Sequence, residues 1–365
     1  MKVFLAGASF RPEYGGPAYS VCRLATALAG VGLDIGLWAP DQSAETTDLL
    51  PPTGTVRRMG GTGAVALNSF GKPNIVHDNG VWLPHNHRLA RLAKRERIPR
   101  IVSARGMLEP WALRHKRWKK TIAWSLYQRD DLARAQCHHA TADGEARNIQ
   151  RLGFGLPVSI IPNGVDLPPG SRSAKPHRNG AKTALFIGRI YPVKGLPMLV
   201  EAWARVRPDG WKLQIAGPDE AGHRRQVERA VAAAGLRETI SFLGSVAGQA
   251  KEAAFAAADL FVLPSHSENF GLVVAEALAR KLPVLTTTAT PWSTLRERDC
   301  GWCVAPSADG LAIGLRRATS CDRATLAAMG ERGHRFVADE FGWPRIANQF
   351  LQLYEEVARR APRSP

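Results

Sequence analysis

The stretch from Leu260 to Ala279 constrains the fold more than any other part of the chain. Leu260-Phe-Val-Leu263 is a short unbroken apolar run, the pattern of a buried strand. It breaks at Pro264 into the polar loop Ser265-His-Ser-Glu268-Asn269-Phe270-Gly271, and a helical pattern ending near Lys281 follows. A strand-loop-helix turn of this kind belongs to an open α/β sheet, whose ligands bind at the edge where such loops lie. Glu268 falls in the loop and Glu276 in the helix, so both carboxylates can face one ligand lying along the helix N-terminus. The free N–H groups and positive dipole end near Phe270, Gly271 and Leu272 suit a phosphate. Carboxylates accept hydrogen bonds from sugar hydroxyls, and phosphate flanked by sugars describes a sugar nucleotide.

A second stretch has the same form. Ala184-Leu-Phe-Ile187 reads as a strand and runs into Gly188-Arg-Ile-Tyr-Pro-Val-Lys-Gly195, before an amphipathic pattern from Leu196 to Val206. Arg189 and Lys194 then sit at another strand end of the same sheet. Two fixed cations there neutralise a pyrophosphate without a metal, Arg as a planar fork and Lys as a point charge. No Asp-x-Asp arrangement stands beside a strand end, so no metal and no cofactor are expected.

Other strands fall at Trp211–Ala216, Ile240–Leu243 and Pro283–Thr287, separated by helical patterns, which argues for a parallel sheet over 183–342. The first half of the chain is built the same way. Lys2 to Gly7 is a strand, its loop ends in Gly15-Gly16, and Pro17 opens a helix that stops at Gly30 and Gly32. Asp34 to Ala39 is the next strand. Without the Gly-x-Gly-x-x-Gly spacing, nicotinamide binding is not expected. Residues 42–72 carry no pattern. Asn74–His77 and Ile98–Ser103 read as strands whose ends present His77 and Arg105 to the candidate cleft, with a structural, hydrogen-bonded role the alternative for His77. His138 and His139 are adjacent on a strand and point to opposite faces, so local spacing gives them no shared metal. The run 168–182 is rich in Pro, Gly, Ser and basic residues and reads as a linker. The pattern from Trp343 to Ala358, with Ile346, Phe350, Leu353 and Val357 on one face, closes the chain.

At 365 residues the chain suits two α/β domains. It has no apolar run long enough to span a bilayer and no signal-peptide organisation at its start, so a cytoplasmic protein is expected. Five scattered cysteines make no disulfide framework. Cys300-Gly-Trp-Cys303 has redox-dithiol spacing, but it stands late in the chain and away from the first βα turn expected of such motifs. The net charge is +17, and the window from His85 to Lys120 supplies +10 of it, with twelve Lys or Arg against two Glu. Within that window a helical pattern from Trp111 to Arg129 sets Trp111, Trp118 and Ile122 on one side. Arg114, Lys116, Arg117 and Lys120 spread over the rest. Packing on the sheet and lying at a membrane surface both fit this pattern.

With these motifs together, the chain resembles the retaining glycosyltransferases of family 4. The likeness extends to Gly15-Gly16, to Ile161-Pro-Asn-Gly-Val-Asp166 and to the last helix. The resemblance implies the GT-B architecture: two Rossmann-like parallel-sheet domains facing an interdomain cleft. Residues 1–167, completed by a helix at about 343–360, would bind the acceptor, and 183–342 the nucleotide sugar. It implies a hexosyltransferase in which Glu268, Arg189 and Lys194 are catalytic. Gly188, Arg189, Lys194, Glu268, Asn269, Phe270, Gly271, Leu272 and Glu276 would hold a UDP- or GDP-type donor. Arg189 and Lys194 take the pyrophosphate, Glu276 the ribose, and Glu268 with its neighbours the transferred sugar. Gly15, Gly16, His77 and Arg105 would line the acceptor side. Many relatives have His at the position of Arg105, and Arg cannot cycle a proton near neutrality.

Ser103-Ala-Arg-Gly-Met-Leu-Glu-Pro-Trp-Ala-Leu further resembles bacterial enzymes of exopolysaccharide, capsule or O-antigen assembly. That points to a glycan or polyprenyl-diphosphate-linked acceptor at the inner, anionic face of the cell membrane. Two alternatives stay open. A sugar-nucleotide epimerase or a phosphorylase can use a similar cleft. A basic nucleic-acid-binding protein would explain the charge, though two carboxylates beside phosphates oppose that, and no nucleic-acid partner is expected.

Overall fold

The computed structural model describes residues 1–51, 54–114, 117–168 and 180–360. The expected linker falls mostly on 169–179, outside the described residues. The chain divides into two compact units, Met1–Gly164 together with the chain from Trp343 onward, and Val165–Gly342.

The first unit holds a seven-stranded parallel sheet, β1 (Lys2–Ala6), β2 (Asp34–Trp38), β3 (Val56–Met59), β4 (Ile75–Asn79), β5 (Arg100–Ser103), β6 (Cys137–Ala140) and β7 (Val158–Ile160), in the order β3-β2-β1-β4-β5-β6-β7. The apolar runs are buried on both sides: Val3, Phe4, Leu5 and Ala6 are each fully covered. Val3 and Leu5 join one core layer, and Phe4 and Ala6 another, as the two-residue alternation of a strand requires. The patternless 42–72 holds β3 and a helix, Gly63–Phe70, capped by the Thr62 hydroxyl accepting from the Val65 N–H.

The closing helix is Trp343–Arg360. It packs on the Gly16–Gly30 helix and buries Ile346, Phe350, Leu353, Tyr354 and Val357. At about 2 kcal/mol for each large side chain, that face is a principal reason the C-terminal helix stays with the first sheet. Gly16–Gly30 begins one residue before Pro17, which occupies its first turn.

The second unit holds β8 (Lys182–Ile187), β9 (Trp211–Ala216), β10 (Ile240–Gly244), β11 (Leu260–Leu263), β12 (Val284–Thr287) and β13 (Gly301–Val304), all parallel, in the order β10-β9-β8-β11-β12-β13. Leu260, Phe261, Val262 and Leu263 are all fully buried, so the unbroken apolar run is a central strand with both faces covered. In each unit the sheet grows outward in two directions from its first strand, the doubly wound Rossmann-like topology.

Candidate functional site

In the second sheet the strand order reverses beside β8, between it and β11. Connections leave in opposite directions there, and the strand ends open a crevice. The loops after β8 and β11 meet at this point. The His266 N–H donates to the Val193 carbonyl at 2.8 Å. Gly195 has φ +67, and a Cβ on it would stand 2.2 Å from the Pro264 carbonyl oxygen. Only glycine allows that approach, and the approach sets the reach of Lys194 toward the other loop.

Lys194 Nζ lies 2.5 Å from Glu268 Oε1, with side chains 15% and 11% exposed. The same oxygen accepts from Ser265 Oγ at 2.6 Å. Ser265 is held in turn by its carbonyl, which accepts from Thr287 Oγ1 at the end of β12 at 2.6 Å. The remaining charges are paired too. Glu276 accepts from Lys251 Nζ through both oxygens, at 2.7 and 2.8 Å. Arg189 Nη1 donates to Glu220 Oε2 at 2.6 Å on a more exposed rim. The ends of β8, β9, β10 and β11 thus carry three self-neutralised ion pairs, and an entering anion must take the place of carboxylates as the partner of these cations.

Gly271, at φ +73, precedes the Leu272–Ala279 helix, and Leu272 is its first residue. An α-helix leaves its first N–H groups without internal partners, so this turn offers donors at the same sheet edge as Lys194. The expectation that Phe270 touches a donor needs correction for its side chain. The ring is buried, 5.3 Å from Trp292 and 5.7 Å from Phe341, and its carbonyl accepts from Trp292 Nε1 at 2.6 Å. Phe270 anchors the loop, leaving only backbone for a ligand. Asn269 and Gly188 flank the crevice, half-buried.

Sequence reasoning missed Lys251, Glu220 and Ser265. Glu220 and Lys251 lie in the connections after β9 and β10, so a survey of charges after every strand of the second half would have found them.

In the first unit, Gly15 and Gly16 stand at the N-terminus of the Gly16–Gly30 helix, and a Cβ on either would meet nothing within 4 Å. His77 is different: it is fully buried and cannot line an acceptor site. Its Nδ1 is 2.7 Å from Tyr354 Oη and its Nε2 2.7 Å from Ser103 Oγ; Ser103 Oγ is 2.6 Å from His139 Nδ1, and His139 Nε2 is 2.8 Å from the Ile161 carbonyl. Burial keeps both rings neutral, and a carbonyl only accepts, which together fix the direction of the whole chain. His139 donates to Ile161, Ser103 to His139, His77 to Ser103 and Tyr354 to His77. Burial holds His77 well below its ordinary range and His139 down to about 3, with Arg105 adding to both shifts.

Arg105 lies at φ +52, just before Gly106 at φ +77. Its Nε and Nη2 donate to Asn79 Oδ1 at 3.1 and 2.7 Å, and Nη1 donates to Asn163 Oδ1 at 2.8 Å. It ties the ends of β4 and β5 to the segment after β7. Burial lowers it to about 10, so it stays charged at neutrality. Cys300 and Cys303 are free thiols. Burial pushes Cys300 up to about 11 and raises Cys303, which leaves neither as the thiolate that redox chemistry requires. Among the described residues no cluster of His, Cys, Asp or Glu is arranged to hold a metal.

Residues 14–168 match the family described as Glycosyltransferase Family 4, and residues 170–336 that described as Glycosyl transferases group 1. The chain is 30% identical over 341 residues to the D-inositol 3-phosphate glycosyltransferase of Nocardia farcinica, covering 86% of this chain and 72% of that one. It is 33% identical over 226 residues to the protein of the same name from Geodermatophilus obscurus, covering 56% of this chain and 49% of the relative, about half its length. Among solved structures it resembles sucrose-phosphate synthase from Thermosynechococcus elongatus, with TM-score 0.81 and 21% identity over 98% of this chain and 99% of that one. It also resembles Anabaena HepE in complex with UDP-glucose, with TM-score 0.74 and 19% identity over 98% of this chain and 100% of that one. At these identities the structural likeness concerns the fold.

Proposed function

The chain belongs to glycosyltransferase family 4 and has the GT-B architecture of two Rossmann-like domains, and from that premise we propose that it is a retaining hexosyltransferase using a nucleoside-diphosphate sugar. The observation that carries the reading is the meeting of Lys194 and Glu268 at the switch point of the second sheet, with Arg189 and Glu276 on the flanking connections. Lys194 and Arg189 take the diphosphate, Glu276 accepts from the ribose hydroxyls, and Glu268 orients the transferred sugar. The Anabaena structure with UDP-glucose favours a UDP-type donor.

In the reaction, the bond from the anomeric carbon to the diphosphate oxygen breaks while the acceptor oxygen bonds to that carbon from the same face. The acceptor proton passes to the departing diphosphate. Lys194, Arg189 and the Leu272–Ala279 helix N-terminus stabilise the charge that develops there. No metal is required in this scheme.

The acceptor is a glycan or a lipid-linked glycan of cell-surface polysaccharide assembly, reached by peripheral attachment at the cytoplasmic face of a membrane. A second reading comes from the relatives named D-inositol 3-phosphate glycosyltransferase, which favour a small phosphorylated polyol. Mass analysis of products formed with each acceptor class separates the two.

The test of the donor site is calorimetric titration with UDP and GDP in excess chelator. Binding of one of them is expected. Loss of all binding there, in a protein that binds with divalent metal, would overturn the metal-free assignment.

A further inference from the structure

Residues 117–134 and the Pro84–Arg95 helix form a surface that the glycosyl-transfer site does not use. Arg117–Ala123, Trp124–Gln128 and Arg129–Ala133 run as one continuous helical path, since Ala123 and Gln128 at the junctions both have right-handed helical backbone. The middle segment is a π turn. Its i→i+5 geometry is wider than an α turn, so a four-residue step that advances around an α-helix falls back across it. Trp118, Ile122 and Leu126 are thereby kept in line. They are 65%, 51% and 75% exposed, where an ordinary sheet-packed helix turns such residues inward. The expectation that this stripe could pack on the sheet is thus corrected: the side chains that turn inward are Gln128, Asp131 and Leu132.

The flanks are basic. Arg117, Lys119 and Arg129 are exposed on the same path, with one exposed acid, Asp130, paired to Arg134 at 3.2 Å, while Lys120 turns back to donate to the Ala112 carbonyl; Lys116 lies outside the described residues. The Pro84–Arg95 helix packs against the Arg129–Ala133 segment and exposes Arg88, Arg91, Lys94 and Arg95, of which Arg95 pairs with Glu96 just past the helix at 2.9 Å. Beside that contact is a concavity of about 500 Å³ whose polar lining includes Arg91, Lys94, Arg97 and Arg134. Its one carboxylate, Asp131, is held by His87 at 2.9 Å.

An apolar ridge between cations matches few partners. A nucleic acid would neutralise the cations but leave the ridge wet. A second copy docked on the same face would set one basic flank against another. An anionic bilayer supplies both an apolar layer and anionic headgroups at adjacent depths.

We propose that this face docks on an anionic lipid surface, with Trp118, Ile122 and Leu126 entering the headgroup–acyl boundary and the Arg91, Lys94 and Arg97 concavity receiving a lipid phosphate. The proposal rests on the peripheral attachment suggested above and supplies its residues and lipid class.

Sedimentation of the full chain with phosphatidylcholine vesicles, and with vesicles of phosphatidylcholine and phosphatidylglycerol in equal parts, tests it. UDP affinity is measured in parallel without vesicles, so failure of the surface and failure of the donor site are read separately. The wild type is expected to sediment only with the anionic vesicles. Replacing Arg91, Lys94 and Arg97 together by Gln should weaken that partition on the order of 100-fold, from about 1 kcal/mol per cation. The double variant Ile122→Ser and Leu126→Ser, whose sites are exposed and tolerant, should lose the salt-resistant part of binding. Quenching of wild-type fluorescence by brominated lipid should fall in Trp118→Phe. Unchanged partition of the Ser variant, or equal binding of the wild type to neutral vesicles, overturns the proposal. So does a wild-type dimer that the Ser variant dissolves, because the ridge would then be a protein interface.

Discussion

Replacing Glu268 by Gln separates the two roles available to that carboxylate. Glu268 neutralises Lys194 at 2.5 Å, and both side chains are mostly buried. Two unit charges about 4 Å apart attract by about 4 kcal/mol at an effective dielectric near 20, and desolvation returns much of this. Gln keeps the shape and an oxygen for the Ser265 hydroxyl, so the net loss should be about 1–3 kcal/mol. In a unit of this size each kcal/mol lowers the melting temperature by about 2–4 °C. A nucleoside diphosphate binding the wild type must compete with Glu268 for Lys194, and in the Gln variant it does not. Its affinity should therefore stay equal or rise by up to about tenfold, roughly 1.4 kcal/mol. Turnover of the full donor should fall about 100-fold or more, since the sugar loses its orienting acceptor. Calorimetry with UDP and GDP, melting curves and turnover on one preparation supply the three readings, with Lys194→Gln, expected to weaken the diphosphate at least tenfold, as the contrast. A folded Glu268→Gln protein that binds the diphosphate ten times more weakly would refute the reasoning, because the carboxylate would then be contacting the nucleotide.

Glu276→Ala should weaken UDP about tenfold or more even without a sugar, since its expected partner is the ribose; unchanged UDP affinity would remove that role. Gly195→Ala forces a Cβ against the Pro264 carbonyl at a positive φ and should cost about 2–4 kcal/mol in the second unit together with most of the diphosphate affinity, as read by melting and titration. Tyr354→Phe leaves the buried His77 Nδ1 without its donor and should lower stability by about 1–3 kcal/mol in urea. The first unit should also lose stability on acidification. Burial pulls His138 down to about 4 and His139 to about 3, with His77 also lowered, so the unfolded chain takes up protons below about pH 6.5 that the folded one refuses. By pH 5 this costs about 2 kcal/mol per histidine. Asp78, raised to about 6 by burial, takes up its proton earlier in the folded state and returns only about 1 kcal/mol by that pH. Urea midpoints that stay flat or rise from pH 7 to 5 would contradict these shifts.

What the sequence displayed clearly was backbone with a strong local pattern. Leu260–Leu263 was legible to the residue because a central parallel strand is a continuous apolar run, and Trp211–Ala216 because Trp211, Leu213 and Ile215 alternate with Lys212 and Gln214 in the two-residue period of a strand. Val56–Met59 was not, because half of Val-Arg-Arg-Met is charged and the strand sits at the sheet edge beside β2. Arg189, Lys194, Glu268 and Glu276 were visible as charges at strand ends. Their pairing was not, since Lys251 and Glu220 reach them only once the strand order sets β9 beside β8 and β10 beyond it. His77 shows the opposite limit. A histidine at a strand end looks functional in one dimension, but its two partners, Ser103 and Tyr354, are distant in sequence and decide that it is a core residue. Likewise a period count put Trp118 and Ile122 on one side of a helix without saying which side faces water, and Leu126 joins them because of a π turn that no local pattern announces.

The path between the two units has a practical corollary. Within the second unit Val165 pairs with Gly342, its N–H donating to the Phe341 carbonyl at 2.8 Å, so the first and last residues of that unit are neighbours. On the other side of the same two peptide links, a Cβ on Gly164 would meet the Trp343 ring at 2.4 Å. The second unit is topologically a guest whose host is left with two abutting ends. A joint of a few residues from Gly164 to Trp343 would turn the remaining chain into a continuous single-sheet protein, and 165–342 could be produced as its own polypeptide with no gap to bridge. With this layout one inserted unit can be exchanged for another without disturbing the helix that seals the first sheet.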